Sequence, residues 1–259
     1  MNNKVVYKSR QEAILIDELA SSSMISKEQL LDIKQYYDEN VAYHNFMHAL
    51  VIAGKVLELS SEDYNIIEIR SLFLAALFHD AWHSWTAEDL DEFRSLDIAF
   101  ENIEKFEKKY NYEGIDFPIV RKAIIWTVFK NRATNTGKYA RLMADLDNHT
   151  IWLDFAEFLF YTDFWMAVEI WEQTNWSTDI KKWFKNISYF KFLMWINKNI
   201  FLNSWLKDEL LSQTLRNIQD YVSVSKNDFT IWNGNKIEDI YKYWKDNDIT
   251  FNEFQTKFF

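Results

Sequence analysis

Five histidines stand in the 259 residues: His44, His48, His79, His83 and His149. Their spacing is regular. His44 and His48 are four residues apart, as are His79 and His83, and His149 follows Asp145 by four. On a helix, positions i and i+4 share a face with Cβ atoms roughly 5–6 Å apart, so each pair can bring two imidazoles to one small volume. Asp80 follows His79 directly, at the end of the most apolar stretch in the chain, LFLAALFHD. An ionisable pair at the end of a buried helix is costly unless it is paired or holds a cation. Asp145 sits in ARLMADLDN near a helix C-terminus, where the helix dipole disfavours a carboxylate unless something else holds it. His48, His79, Asp80 and Asp145 therefore form a candidate metal set drawn from three apolar-flanked helices. Asp147 is the alternative to Asp145.

The chemistry open to such a set is narrow. The chain has no cysteine, so a metal must be held by imidazole, carboxylate and water. Nitrogen beside hard oxygen suits Mn, Co, Fe, Ni, Zn or Mg, and the sequence does not choose among them. Such an ion can activate water for attack on phosphorus and neutralise a phosphoryl oxygen. A neighbouring histidine is suited to pass a proton near neutral pH.

The order H…HD…D resembles that of the HD superfamily of metal-dependent phosphohydrolases. The likeness spans about residues 40–150. YHNFMHA at 43–49, LAALFHDAWH at 74–83 and ADLDN at 144–148 are similar to segments of cyclic-nucleotide phosphodiesterases and of small HD nucleotide hydrolases. The resemblance implies that His48, His79, Asp80 and Asp145 are the metal ligands. It implies that His44 donates a proton to the leaving oxygen, that Asp80 also serves catalysis, and that His83 stands near the metal-bound water outside the coordination sphere. Thr127 to Arg132 stand where those phosphodiesterases carry T-D-x-x-x-H. That Asp and His are missing here, so one metal site is expected and a second is left open.

The elements that must position these residues read as helices. Gly occurs four times and Pro once, too few for the many turns of a sandwich or barrel. The expected fold is all-α, an HD-domain helical bundle over about residues 26–150 with a helical cover over 151–259, in a single domain spanning 1–259. Ser26 and Gln29 form a capping box opening a helix with Leu30, Ile33 and Tyr37 on one face. Further helices are expected from about Asn45 to Leu59, from after Ser61 to about Trp82, from Thr86 to about Lys109, from Pro118 to about Lys130, and from Lys138 to Leu146. Stripes at Ile180, Trp183, Phe184 and Ile187, and at Leu211, Leu215, Ile218 and Val222, point to more. Residues 131–137 and 223–235 read as loops.

Several residues near the motifs have both a bland and a functional reading. Tyr43, Trp82 and Trp85 could stack on a base but are expected to pack in the core. Lys122, Lys130 and Arg132 could meet phosphate but read as solvated. Glu92 and Ser95 stand where a polar site residue could lie, and His149 reads as a helix-junction residue.

The net charge of −10 argues against an extended nucleic-acid surface, though a bound cation would still admit a small phosphoester. No apolar run is long enough to span a bilayer and the N-terminus has no signal core, so no membrane partner is expected and the location is read as cytoplasmic. The expected function is hydrolysis of a small nucleotide phosphoester, a phosphomonoester or a cyclic or linear phosphodiester. The alternatives are an HD-type di-iron oxygenase and a non-catalytic nucleotide-binding module. The oligomeric state is left open.

Overall fold

The computed structural model describes residues 10–39, 41–59, 61–83, 90–110, 114–128, 137–148 and 153–158, and beyond these residue 169, scattered positions in 212–248, and 250–258. The described residues are helical, with one minimal hairpin. The helices are α1 (Arg10–Ser21), α2 (Lys27–Lys34), α3 (Phe46–Leu57), α4 (Ile66–Phe78), α5 (Asp91–Tyr110), α6 (Phe117–Ile125), α7 (Lys138–Asp147), α8 (Phe155–Phe158) and α9 (Phe251–Phe258). The chain divides into two compact units. One holds Glu12–Asn148; the other holds Ser9–Gln11 with His149–Phe259.

In the first unit α4 is the central element. Every side chain from Ser71 to Phe78 is fully buried. A helix apolar all round must be enclosed on all sides, and α3, α5, α6 and α7 pack against this one. Leu72, Phe73, Leu74 and Leu77 form one core with Leu50 and Val56 of α3, Ile103 of α5, Val120 and Ile124 of α6, and Leu142 and Met143 of α7.

Helix ends follow from specific caps. The Ser26–Gln29 box is present, with Gln29 N–H donating to Ser26 Oγ at 3.2 Å and Ser26 N–H donating to Gln29 Oε1 at 2.7 Å. Leu30 and Ile33 are buried as the helical spacing requires, and Tyr37 is buried just past the end of α2. α4 starts later than expected because Asn65 and Glu68 make a second capping box. It ends at Phe78 rather than near Trp82, so His79 is its C-cap residue. Asp116 caps α6, with Pro118 in the first turn, where its missing N–H costs nothing. α6 stops at Ile125 rather than near Lys130, because Trp126 leaves helical geometry at ψ 5°.

Two elements have no counterpart in the sequence reading. α1 is one, with Ile16 and Leu19 buried. The other overlaps the end of the expected 223–235 loop, where β1 (Thr230–Ile231) pairs antiparallel with β2 (Asn235–Lys236). In the second unit, Arg10 meets Glu253 at 2.6 Å and donates to Asp248 O, while Phe251 N–H donates to Gln11 Oε1. The stripes at 180–187 and 211–222 lie outside the described residues.

Candidate metal centre

The site begins with one buried asparagine. Asn45, the N-cap of α3, accepts from Met47 N–H at 2.9 Å and from His48 N–H at 3.3 Å through Oδ1. Its Nδ2 donates to Val41 O and Ala42 O. Both ends of the amide are satisfied, which fixes the turn before α3 and the first helical turn together. His44 and His48 flank this anchor. Tyr43 lies 4.6 Å from the His48 ring, so the aromatic side of His48 is filled.

His79 and Asp80 follow the last turn of α4. That turn exposes carbonyls with no helical partner. Three of them are used: Tyr37 Oη donates to Leu77 O at 2.8 Å, Ala81 N–H donates to Phe78 O at 3.1 Å, and His79 Nδ1 lies 2.8 Å from Ala76 O. A carbonyl only accepts, so Nδ1 carries the proton and the Nε2 lone pair faces the cluster.

The cluster itself consists of His48, His79, Asp80 and Asp147. One ligand atom from each lies within 4.8 Å of all the others. His79 Nε2 is 3.1 Å from Asp80 Oδ2 and 3.5 Å from Asp147 Oδ1. His48 Nε2 is 3.2 Å from Asp147 Oδ1 and 3.8 Å from Asp80 Oδ2. Although carboxylate oxygens stand this near, His79 Nε2 makes no hydrogen bond of good geometry and is wholly buried. A buried lone pair facing carboxylates is stable only with a positive charge between them, supplied by a proton or a metal ion. The donor set, two imidazole nitrogens and two carboxylates, fits a divalent ion.

The electrostatics agree. Burial alone would make His79 harder to protonate, but Asp80 and Asp147 outweigh it and raise its pKa well above the ordinary value. Burial pushes Asp80 and Asp147 up, yet His79 acting on Asp80, and His48 and His79 acting on Asp147, hold both carboxyls far below the usual range. Glu92 is shifted upward, first by burial and then by the charges of Asp80, Asp91 and Asp147. Burial and the Asp80 charge raise Tyr37.

The fourth member of the cluster differs from the sequence expectation. Asp147 joins it, and Asp145 does not. Asp145 is fully buried elsewhere on α7. Two residues along an α-helix are about 200° apart, so one helix cannot turn both carboxylates to the same point. Asp147 shares its face with Ala140, Met143 and Ala144, and its Oδ2 accepts from Asn148 Nδ2 at 3.3 Å. Asn148 also donates to Ala144 O, which ties the carboxylate to the end of α7.

His44 and His83 meet beside the cluster. Their rings stack with centroids 3.8 Å apart and planes 11° from parallel, and the His44 ring is 6.3 Å from that of His48. His83 Nδ1 is 3.8 Å from Asp91 Oδ2. Ser95 Oγ accepts from Trp82 N–H and donates to Trp82 O, holding the backbone next to His83 against α5. Trp82 itself is exposed and lies under the Arg94 guanidinium, so it is not a core residue. Tyr43 is buried and Lys122 exposed. Trp85, Lys130, Arg132 and His149 lie outside the described residues. From sequence, Tyr37 reads only as part of a helix face and Asn45 only as a helix start, and Asn148 is not singled out. A polar cap residue three positions before a helical His, or a polar residue one after a terminal Asp, is the signal that could have marked the two asparagines.

No protein-family model and no curated protein sequence matches the chain. Among solved structures, the chain is similar to a phosphodiesterase, LmjPDEB1 in complex with IBMX, with a TM-score of 0.53 and 14% identity. The match covers 84% of this chain and 87% of that one. At that identity the likeness is one of fold, an all-helical phosphodiesterase-like architecture. No described helix is long and apolar enough to cross a membrane.

Proposed function

We propose that the chain is a metal-dependent phosphohydrolase acting on a small nucleotide phosphoester. The observation that carries this reading is the convergence of His48, His79, Asp80 and Asp147, with the stacked His44–His83 pair alongside. The fold shared with a phosphodiesterase solved with IBMX supports a small-molecule phosphodiester as the substrate class.

In this reading the four clustered residues hold one divalent ion. The ion supplies Lewis acidity, lowering the pKa of water and neutralising a phosphoryl oxygen. The protein's own residues do the rest. Ala76 O fixes the His79 tautomer, and Asn45 fixes the start of the helix carrying His48. His44 stands beside the cluster without belonging to the four, a position suited to protonating the departing oxygen. His83 is stacked on His44 and restricts its ring.

The test is a screen of the purified protein with Mn, Co, Mg or Zn against cyclic nucleotides, nucleoside monophosphates and triphosphates, and chromogenic phosphoesters. The expected result is metal-dependent release of phosphate or opening of a cyclic ester. Tight metal binding with no turnover on any of these, or oxygen consumption instead, would overturn the reading.

A further inference from the structure

α6 has one fully buried face and a second, partly buried one that mixes apolar and basic residues. Ile119, Val120, Ala123 and Ile124 are buried in the core. Phe117 and Ile125, partly buried against the same core, line with Pro118 and Trp126 an open pocket of about 520 Å³ bordered by Phe100 of α5. The spacing 117, 121, 125 and 118, 122, 126 places these residues on two adjacent ridges of the helix and its C-cap. The volume falls within the range of small-molecule pockets, roughly 300–1,000 Å³.

The lining has aromatic walls with charge between them. Phe100 and Phe117 meet edge to face, with centroids 5.4 Å apart and planes at 70°. Trp126 adds an indole, and Arg121 and Lys122 stand between the two apolar ends of the stripe. Among the described residues, neither cation has an ion pair or hydrogen bond, in a chain of net charge −10. Two adjacent unneutralised cations bordering an aromatic pocket complement a flat apolar body bearing one negative charge. A carboxylate would accept from the guanidinium and ammonium. The ring would pack on Phe117 and Trp126, with the same cations able to meet its face.

We propose that α5 and α6 form a binding site for an aromatic monocarboxylate, with Arg121 and Lys122 holding the carboxylate and Phe100, Phe117 and Trp126 holding the ring. The site does not depend on the phosphohydrolase reading, and its test needs no turnover.

The experiment is calorimetric titration of the full chain with 2-naphthoate, beside the neutral isostere 2-naphthalenemethanol. The variant is Arg121→Gln with Lys122→Gln; both side chains are exposed, so the fold should persist, and circular dichroism verifies it. The expected result is saturable 1:1 binding of naphthoate, weakened at least about tenfold by the double substitution and by loss of the ligand's charge. Absence of saturable binding, or equal binding of the alcohol, would overturn the proposal. So would naphthoate binding that the double substitution leaves unchanged. Sedimentation that shows a dimer broken by the same substitutions, with no response to naphthoate, would assign the face to a second copy of the chain and equally overturn it.

Discussion

The imidazole of His44 lies flat on that of His83, 3.8 Å between centroids, while the nearest ring of the proposed metal ligands, His48, is 6.3 Å from it. His44 is thereby held close to the ion's position without being one of the four residues that would hold it. His44→Ala should therefore lower kcat by ~10²–10⁴-fold, the range for one general acid, with metal content unchanged. His48→Ala should lose both metal and turnover. Metal analysis beside kinetics on both variants checks this, and full activity in His44→Ala removes the proton-donor role.

Asp147 joins the His48–His79–Asp80 cluster, whereas Asp145 is buried elsewhere on α7. Asp147→Asn should weaken metal binding sharply, because it removes a charge 3.2 Å from His48 Nε2 and 3.5 Å from His79 Nε2. Asp145→Asn should keep the metal stoichiometry. Equilibrium dialysis with Zn or Mn measures both, and metal loss confined to Asp145→Asn would reverse the assignment.

Asn45→Ala should cost about 1–3 kcal/mol, since it leaves buried backbone groups on both sides of the turn without their partner. It should also disturb His48 more than the overall fold, reducing metal affinity at temperatures where circular dichroism is still native. Denaturant unfolding and a metal titration on the same variant test the two halves. An unchanged affinity would make Asn45 a cap and nothing more.

Glu68 gives a pH dependence away from the metal cluster. Burial pushes its carboxyl up, but hydrogen bonds from Tyr139, from Asn65 N–H and from Lys138 prevail and lower it below the ordinary 4.5. The folded state therefore binds this proton less readily than the unfolded chain does. Its stabilisation is complete above the unfolded value and is lost as pH falls through the folded one. Glu68→Gln keeps the shape of the capping box but not the charge. Its Tm should lie below the parent's at neutral pH and converge with it in acid; a constant offset across the titration would exclude the linkage.

Much of the all-α architecture was legible because its signals are local. Ser26 with Gln29, Pro118 in a first turn, and two His pairs at i, i+4 depend on neighbours along one chain segment. The HD pair was marked by its position after seven unbroken apolar residues, which had to be buried. The rotation of α7 was not legible. Asp145 lies between Ala144 and Leu146 and Asp147 directly follows Leu146, and which one faces α3 and α4 depends on how α7 packs against them, a tertiary fact. α1 escaped notice for a related reason. Its core contacts come from Ile16 and Leu19, with Leu15 and Ala20 partly buried beside them, in a short segment where Arg10, Glu12, Asp17 and Glu18 interrupt the apolar stripe. Ser60 and Ser61, a few residues upstream of Asn65, are equally good caps by residue type, so the sequence alone does not choose among them.

The four clustered side chains come from distant parts of the chain: His48 and Asp147 alone are 99 residues apart. In the unfolded chain nothing holds them within one coordination sphere. An ion bound there would be selective for the folded state of this unit, and its binding free energy would be added to folding free energy. Chelation would then act as a denaturant, lowering the melting temperature of Glu12–Asn148 by an amount that grows with the free-ion concentration it removes.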